Sequence, residues 1–178
     1  MTKIVLTFGL ISGAIVAALM WIMLWAMNAG VANTDHGYVW GYATMIIALS
    51  LVFFGIKSYR DNNGGKISFL KGLQVGILIS VISAVCYATS WEAYYRSSGA
   101  DFMQQYSQKY IEKMKNNGAS DAEIAAAQTE MAGMMEKYQY FFFRFALTLM
   151  EIVPVGIIVT LVSAALLRKR EILPPETA

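Results

Sequence analysis

The sequence predicts an all-α membrane protein of four transmembrane helices, with both termini inside and an extracytoplasmic helical hairpin between helices 3 and 4. Three observations carry this. Of 178 residues, 57% are hydrophobic and 15% charged, against about 25% charged in soluble domains, and mean hydropathy is +0.47. Four runs, 4–27, 38–56, 72–91 and 145–167, approach or exceed the about 20 apolar residues that a helix needs to cross a hydrocarbon core. Basic residues cluster at alternate ends of those runs, as cytoplasmic connections do.

The first run has Lys3 in front and the small residues Gly30 and Ala32 behind, the outline of a signal peptide. Its 24 uncharged residues exceed the about 7–15 of a signal h-region, so a retained helix over about 4–27 is expected. Gly9 and Gly13 stand one turn apart on it. The loop to the second helix (about 38–56) contains no Lys or Arg, and Gly37 and Gly41 open that helix. His36 follows Asp35 in this loop, but one His without a spaced set of further ligands does not make a metal site.

The next loop carries Lys57, Arg60, Lys66 and Lys71 around Asn62-Asn63-Gly64-Gly65. The Gly65-Lys66 pair is not a phosphate loop, which needs Gly where Arg60 stands and Ser or Thr where Ile67 stands. A tight turn with positive-inside anchors is one reading. Contact of the four cations with anionic lipid, each contributing about 1 kcal/mol near a charged leaflet, is the other. Ser68 is placed to cap the third helix, about 68–95. There Gly72, Gly76, Ser80, Ser83, Tyr87 and Ser90 recur in steps of four and three, the spacing of a helix contact. Small residues favour close packing in lipid; a polar track for an ion would use the same types. Cys86 is the single cysteine, so no intrachain disulfide forms.

Between 96 and 138 five basic residues balance six acidic ones, and segments of this length cross a membrane largely regardless of charge. Phe102, Met103, Tyr106, Tyr110 and Met114 share a helical stripe that stops at "NNGAS", where Gly118 suits the position after a helix end. Ser120 with Glu123 forms a capping box, followed by Ile124, Ala127, Met131, Met134 and Tyr138. A helical hairpin results, each arm with one apolar stripe. The stripes pack on each other, or a face including Tyr106, Tyr110, Met131 and Met134 docks a second copy or another protein, since Met adapts to varied surfaces. The fourth helix (about 141–167) ends at Arg168, Lys169 and Arg170.

The aromatic belt gives an independent reading of orientation. Trp21, Trp25, Trp40 and Trp91, with Tyr38, Tyr94, Tyr95, Tyr138 and Tyr140, all map to the outer ends of the helices, where an apolar ring keeps a polar tip wet. A single membrane domain of a bacterial inner membrane, residues 1–178, is expected.

"GIKSYRDNNGGKISFLKGLQVG" (55–76), "EIVPVG" and the basic end "LLRKR" together resemble the bacterial membrane family known as domain of unknown function 4199. The resemblance covers nearly the whole chain and implies a four-helix membrane protein. It supplies no activity, cofactor or catalytic residue.

The fourth run alone contains a charge, Glu151. At 1.5 Å per residue from Arg168 it stands about 25 Å up a core about 30 Å thick, one turn below the outer surface. Arg144 and Thr148 share its face. Glu92 and Arg96 reach a similar level on the third helix, so Glu92, Arg96, Arg144 and Glu151 form a candidate charge cluster. The partner of Glu151 is expected to be Arg96 or a belt tyrosine, with Arg144 reaching Glu92. Pro154 predicts a kink beside Glu151, and Gly156 admits a close neighbour. A paired structural charge and proton or ion handling are the two readings.

One His and one Cys leave no Ser-His-Asp, Cys-His or zinc spacing. The expectation is therefore no enzyme, no cofactor, no metal and no nucleic-acid partner. A membrane scaffold or assembly subunit is expected first, and a small transporter or channel component using Glu92 and Glu151 second.

Overall fold

Helix α1 (Thr2–Asn28) opens a computed structural model that describes residues 1–31, 37–98 and 102–168. After it come α2 (Gly37–Leu49), α3 (Leu51–Asp61), α4 (Phe69–Ser98), α5 (Phe102–Asn116), α6 (Asp121–Tyr138) and α7 (Phe141–Leu167), and no strand occurs among the described residues. Four segments are long and apolar enough to cross a membrane: Thr2–Met27, Val39–Asp61, Phe69–Ser97 and Phe141–Leu167. The loop residues Asp35 and His36, and Lys169 and Arg170 at the far end, lie outside the described residues.

The second span is one helix in the sequence reading, and in the structure α2 leads into α3 through a local tightening at Ser50, whose backbone keeps helical dihedrals (φ −57°, ψ −24°). The Ser50 hydroxyl donates to the Ile47 carbonyl at 2.7 Å, the Ser12 hydroxyl of α1 donates to the Ala48 carbonyl at 2.8 Å, and the Phe53 N–H takes the Ser50 carbonyl in a three-residue step. Hydroxyls that bond nearby carbonyls compete with the helical ladder and bend it. The span also runs on past 56, because Lys57 pairs with Asp61 one turn later at 2.8 Å.

Local chemistry sets the remaining ends. Gly64 and Gly65 take φ of 70° and 72°, a conformation that costs a glycine little, and turn the chain between α3 and α4. The Ser68 side chain accepts from the Lys71 N–H. Gly118 has φ 79° at the end of α5, and Ser120 with Glu123 forms both bonds of a capping box at the start of α6. The Ser120 hydroxyl, and after it the Ser120 backbone, hold the Glu123 carboxyl below the usual glutamate range.

The chain divides into two units, Met1–Ala88 with Leu149–Ala178, and Thr89–Thr148. In the first, small residues set the helix contacts. A Cβ on Gly9 or Gly13 of α1 would overlap Ile82 or Cys86 of α4, and one on Gly72 or Gly76 of α4 would crowd Ala164 or overlap Thr160 of α7. Gly55 lies against Ile79, and Gly156 against Ser80. Ser80 Oγ meets Thr160 Oγ1 at 3.2 Å, while Ser83 Oγ donates to the Gly9 carbonyl at 3.2 Å. The seam read along the third helix is thus shared by two neighbours, α7 at Gly72, Gly76 and Ser80 and α1 at Ser83. Gly41 departs from expectation: a Cβ there meets nothing within 4 Å among the described residues.

In the second unit, the hairpin arms pack on each other. Met103 and Ile111 of α5 and Ala127 and Tyr138 of α6 are buried. Met131 and Met134 are half-buried, and Tyr106 and Tyr110 stay exposed.

Candidate functional site: two carboxylates in apolar segments

Glu92 sits on α4 and Arg144 on the first turn of α7, both 5% exposed. Arg144 Nε donates to Glu92 Oε1 at 2.7 Å and Nη2 to Oε2 at 2.8 Å, a bidentate, charge-assisted pair. Its Nη1 donates to the Tyr138 and Gln139 carbonyls at 2.7 and 2.8 Å. These oxygens close the C-terminal end of α6, where a cation is favoured by the helix dipole. The guanidinium also lies 4.0 Å from the Tyr95 ring centroid, within cation–π range. Around it, Trp91 Nε1 donates to Tyr138 Oη at 2.9 Å, and the Tyr95 and Tyr138 rings meet edge to face at 5.5 Å. Thr148 closes onto the Arg144 carbonyl.

Arg96 is one turn beyond Glu92 on α4, but its Nε is 4.0 Å from Glu92 Oε2 and its side chain is 74% exposed. With both carboxylate oxygens held by Arg144, Arg96 is an onlooker. It flanks a shallow groove lined by Thr89, Glu92, Ala93, Arg96, Phe141 and Phe145.

Glu151 differs in every respect. It is exposed on α7, and among the described residues it takes one hydrogen bond, from Tyr87 Oη at 3.3 Å. The carboxylate is therefore not paired with a cation there, which corrects the view of it as a member of one four-charge cluster. Arg144 stands seven residues away, about 10 Å along the helix, and its donors are engaged by Glu92 and two carbonyls. Beside Glu151, the exposed Met150 lines a second shallow, apolar groove with Leu149, Val153 and Pro154. α7 runs through Pro154 without ending.

The basic loop also needs correcting. Arg60 is 1% exposed and donates through Nε to Asp61 at 3.0 Å, so burial removes it from the cations open to a lipid headgroup. Lys57 is tied to Asp61. Lys66 remains exposed, and Lys71 bonds Gln74 at 2.9 Å and lies 6.0 Å from the Tyr59 ring centroid.

Sequence reasoning missed Tyr87 as the donor to Glu151, since its step from Ser83 reads as packing. It also missed Ser12, and the Tyr138 and Gln139 carbonyls as partners of Arg144. For the last pair, a cation shortly after a helix end is the signal that could have found it, since basic side chains bond the final carbonyls of a helix. Among the described residues no three His, Cys, Asp or Glu side chains come together as metal ligands.

Four apolar helices with an inserted hairpin define a multi-pass, all-α membrane protein class. The chain belongs to the family described as protein of unknown function (DUF4199), whose model matches residues 7–169. No curated protein and no solved structure matches it.

Proposed function

We propose that this chain is a non-enzymatic, multi-pass protein of a bacterial inner membrane that acts as a scaffold or assembly subunit, with both termini cytoplasmic and the α5–α6 hairpin outside. The observation that carries this reading is the closure of the interior polar groups. Glu92 and Arg144 saturate each other, and Ser12, Ser83 and Thr148 end on carbonyls. Among the described residues no buried side-chain nitrogen or oxygen lacks a partner. A conduction path needs polar groups that exchange partners; a scaffold needs them fixed. Exposed on the surface stand Met150 and Glu151 on α7, and Tyr110 on the hairpin.

Photoreactive residues at Met150 and at Tyr110, introduced one at a time in native membranes, test this. A protein adduct of defined mass at either position is the expected result, and lipid adducts alone at both would overturn the reading. The second reading, a transporter or channel component, is favoured by Glu151, a carboxylate facing outward in an apolar span. Purified protein in vesicles with a pH-sensitive dye distinguishes the two. Proton flux abolished by Glu151→Gln would establish the second, and no flux above empty vesicles is expected from the first.

A further inference from the structure

The groove beside the Glu92–Arg144 pair has the chemistry of a lipid site. Glu92 and Arg144 cancel each other's charge through two short bonds, so the local balance is set by Arg96. At 4.0 Å its contact with Glu92 is beyond hydrogen-bond range, which leaves the planar donor fork of an exposed guanidinium for an outside anion. Below it the Phe141 and Phe145 rings stand side by side, centroids 5.4 Å apart and tilted 32°, and with Thr89 and Ala93 they give the groove an apolar wall.

Position selects the occupant. Arg96 is the last residue but one of the span Phe69–Ser97, and Phe141 is the first of Phe141–Leu167. The cation therefore stands where a span meets the headgroup layer, and the rings lead from it into the apolar segment. Aromatic rings favour that level, and guanidinium matches phosphate bidentately. We propose that this groove binds one anionic glycerophospholipid, its phosphate on Arg96 and an acyl chain along Phe141 and Phe145.

Delipidated full-length protein in mild detergent, titrated with phosphatidylglycerol and followed by native mass spectrometry, tests the proposal. Arg96→Ala is expected to weaken retention about tenfold, the loss of one charge-assisted contact, and Phe145→Ala about threefold, with Lys109→Ala on the hairpin unchanged. Arg96 is exposed, so the fold should survive. Should Arg96→Ala unfold, Arg96→Gln serves with the same expectation. Equal retention by wild type and the Arg96 variant, or an equal loss in Lys109→Ala, would overturn the site. Inorganic phosphate at millimolar concentration is expected not to displace the lipid; displacement would make this a bare anion site and overturn the lipid assignment. A photoreactive residue at Ala93 in native membranes is expected to give a lipid adduct, and a protein adduct there would overturn the proposal as well.

Discussion

Glu92 and Glu151 are both carboxylates in apolar helices, yet the fold treats them oppositely. Glu92 is buried and gripped by the Nε and Nη2 edge of a guanidinium whose Nη1 also closes the end of α6. Glu151 is exposed and held by a phenol at 3.3 Å. A buried pair is costly to break because the survivor is left charged in a poor solvent. An outward-facing carboxylate bound by one hydroxyl contributes little to the fold, and what it does depends on what meets it. A charge in a membrane span is thus a question about its partners before it is a question about function.

The sharpest way to break the contrast is Arg144→Leu. Leaving Glu92 buried without its cation should cost about 3–5 kcal/mol, read as loss of folded protein in thermal unfolding in detergent. The double change Glu92→Leu with Arg144→Leu should recover much of it, since apolar replacement of a buried pair is often neutral or better. If the single and double variants unfold alike, the pair does not hold this region.

Next in size is Gly76→Leu. A Cβ there already overlaps Thr160, so α4 and α7 must separate, at about 1–3 kcal/mol. Gly41→Leu, where nothing lies within 4 Å among the described residues, is expected to leave the unfolding temperature unchanged. That pair separates glycines that pack from glycines that merely share the spacing.

Glu151→Gln and Glu151→Leu should both stay within about 1 kcal/mol of wild type in detergent. The leucine form removes one hydrogen bond from a tyrosine hydroxyl and no bond to a guanidinium. A large loss in the leucine form alone would show a cation on Glu151.

Much of this architecture was readable in advance because it depends on local or one-dimensional features. The four spans follow from length and hydropathy, and the capping box at Ser120 and Glu123 from three neighbouring residues. The tightening at Ser50 was not readable, since the Ser12 hydroxyl that reaches the Ala48 carbonyl comes from another helix. The burial of Arg60 was not either, because a basic residue at the end of an apolar run reads as an anchor in the headgroups. Glycine spacing identified Gly9, Gly13, Gly72 and Gly76 but gave the same weight to Gly41. Spacing says that close approach is allowed and does not say which helix comes. The Glu92–Arg144 pair was anticipated from depth along two antiparallel helices. The same argument wrongly drew in Glu151, since equal height does not fix the direction in which a side chain points.

The smallest expected effect is at the capping box. Because the Ser120 bonds lower the Glu123 carboxyl in the folded hairpin, their contribution is present above the pH at which a free glutamate titrates. It is lost as pH falls through the lower folded value. Amide exchange at the first turn of α6 should quicken over that acidic window, and Glu123→Gln should remove most of the dependence. A first turn equally protected on both sides of it would contradict the role.

The contrast between the two carboxylates is tested most directly by an apolar carbodiimide, which reacts with carboxyl groups accessible from the lipid, followed by peptide mass spectrometry on the protein in native membranes. Modification at Glu151 with Glu92 left intact is the predicted result, and Arg144→Leu should then expose Glu92 to the reagent. Modification of Glu92 in the wild type as fast as Glu151 would contradict the account.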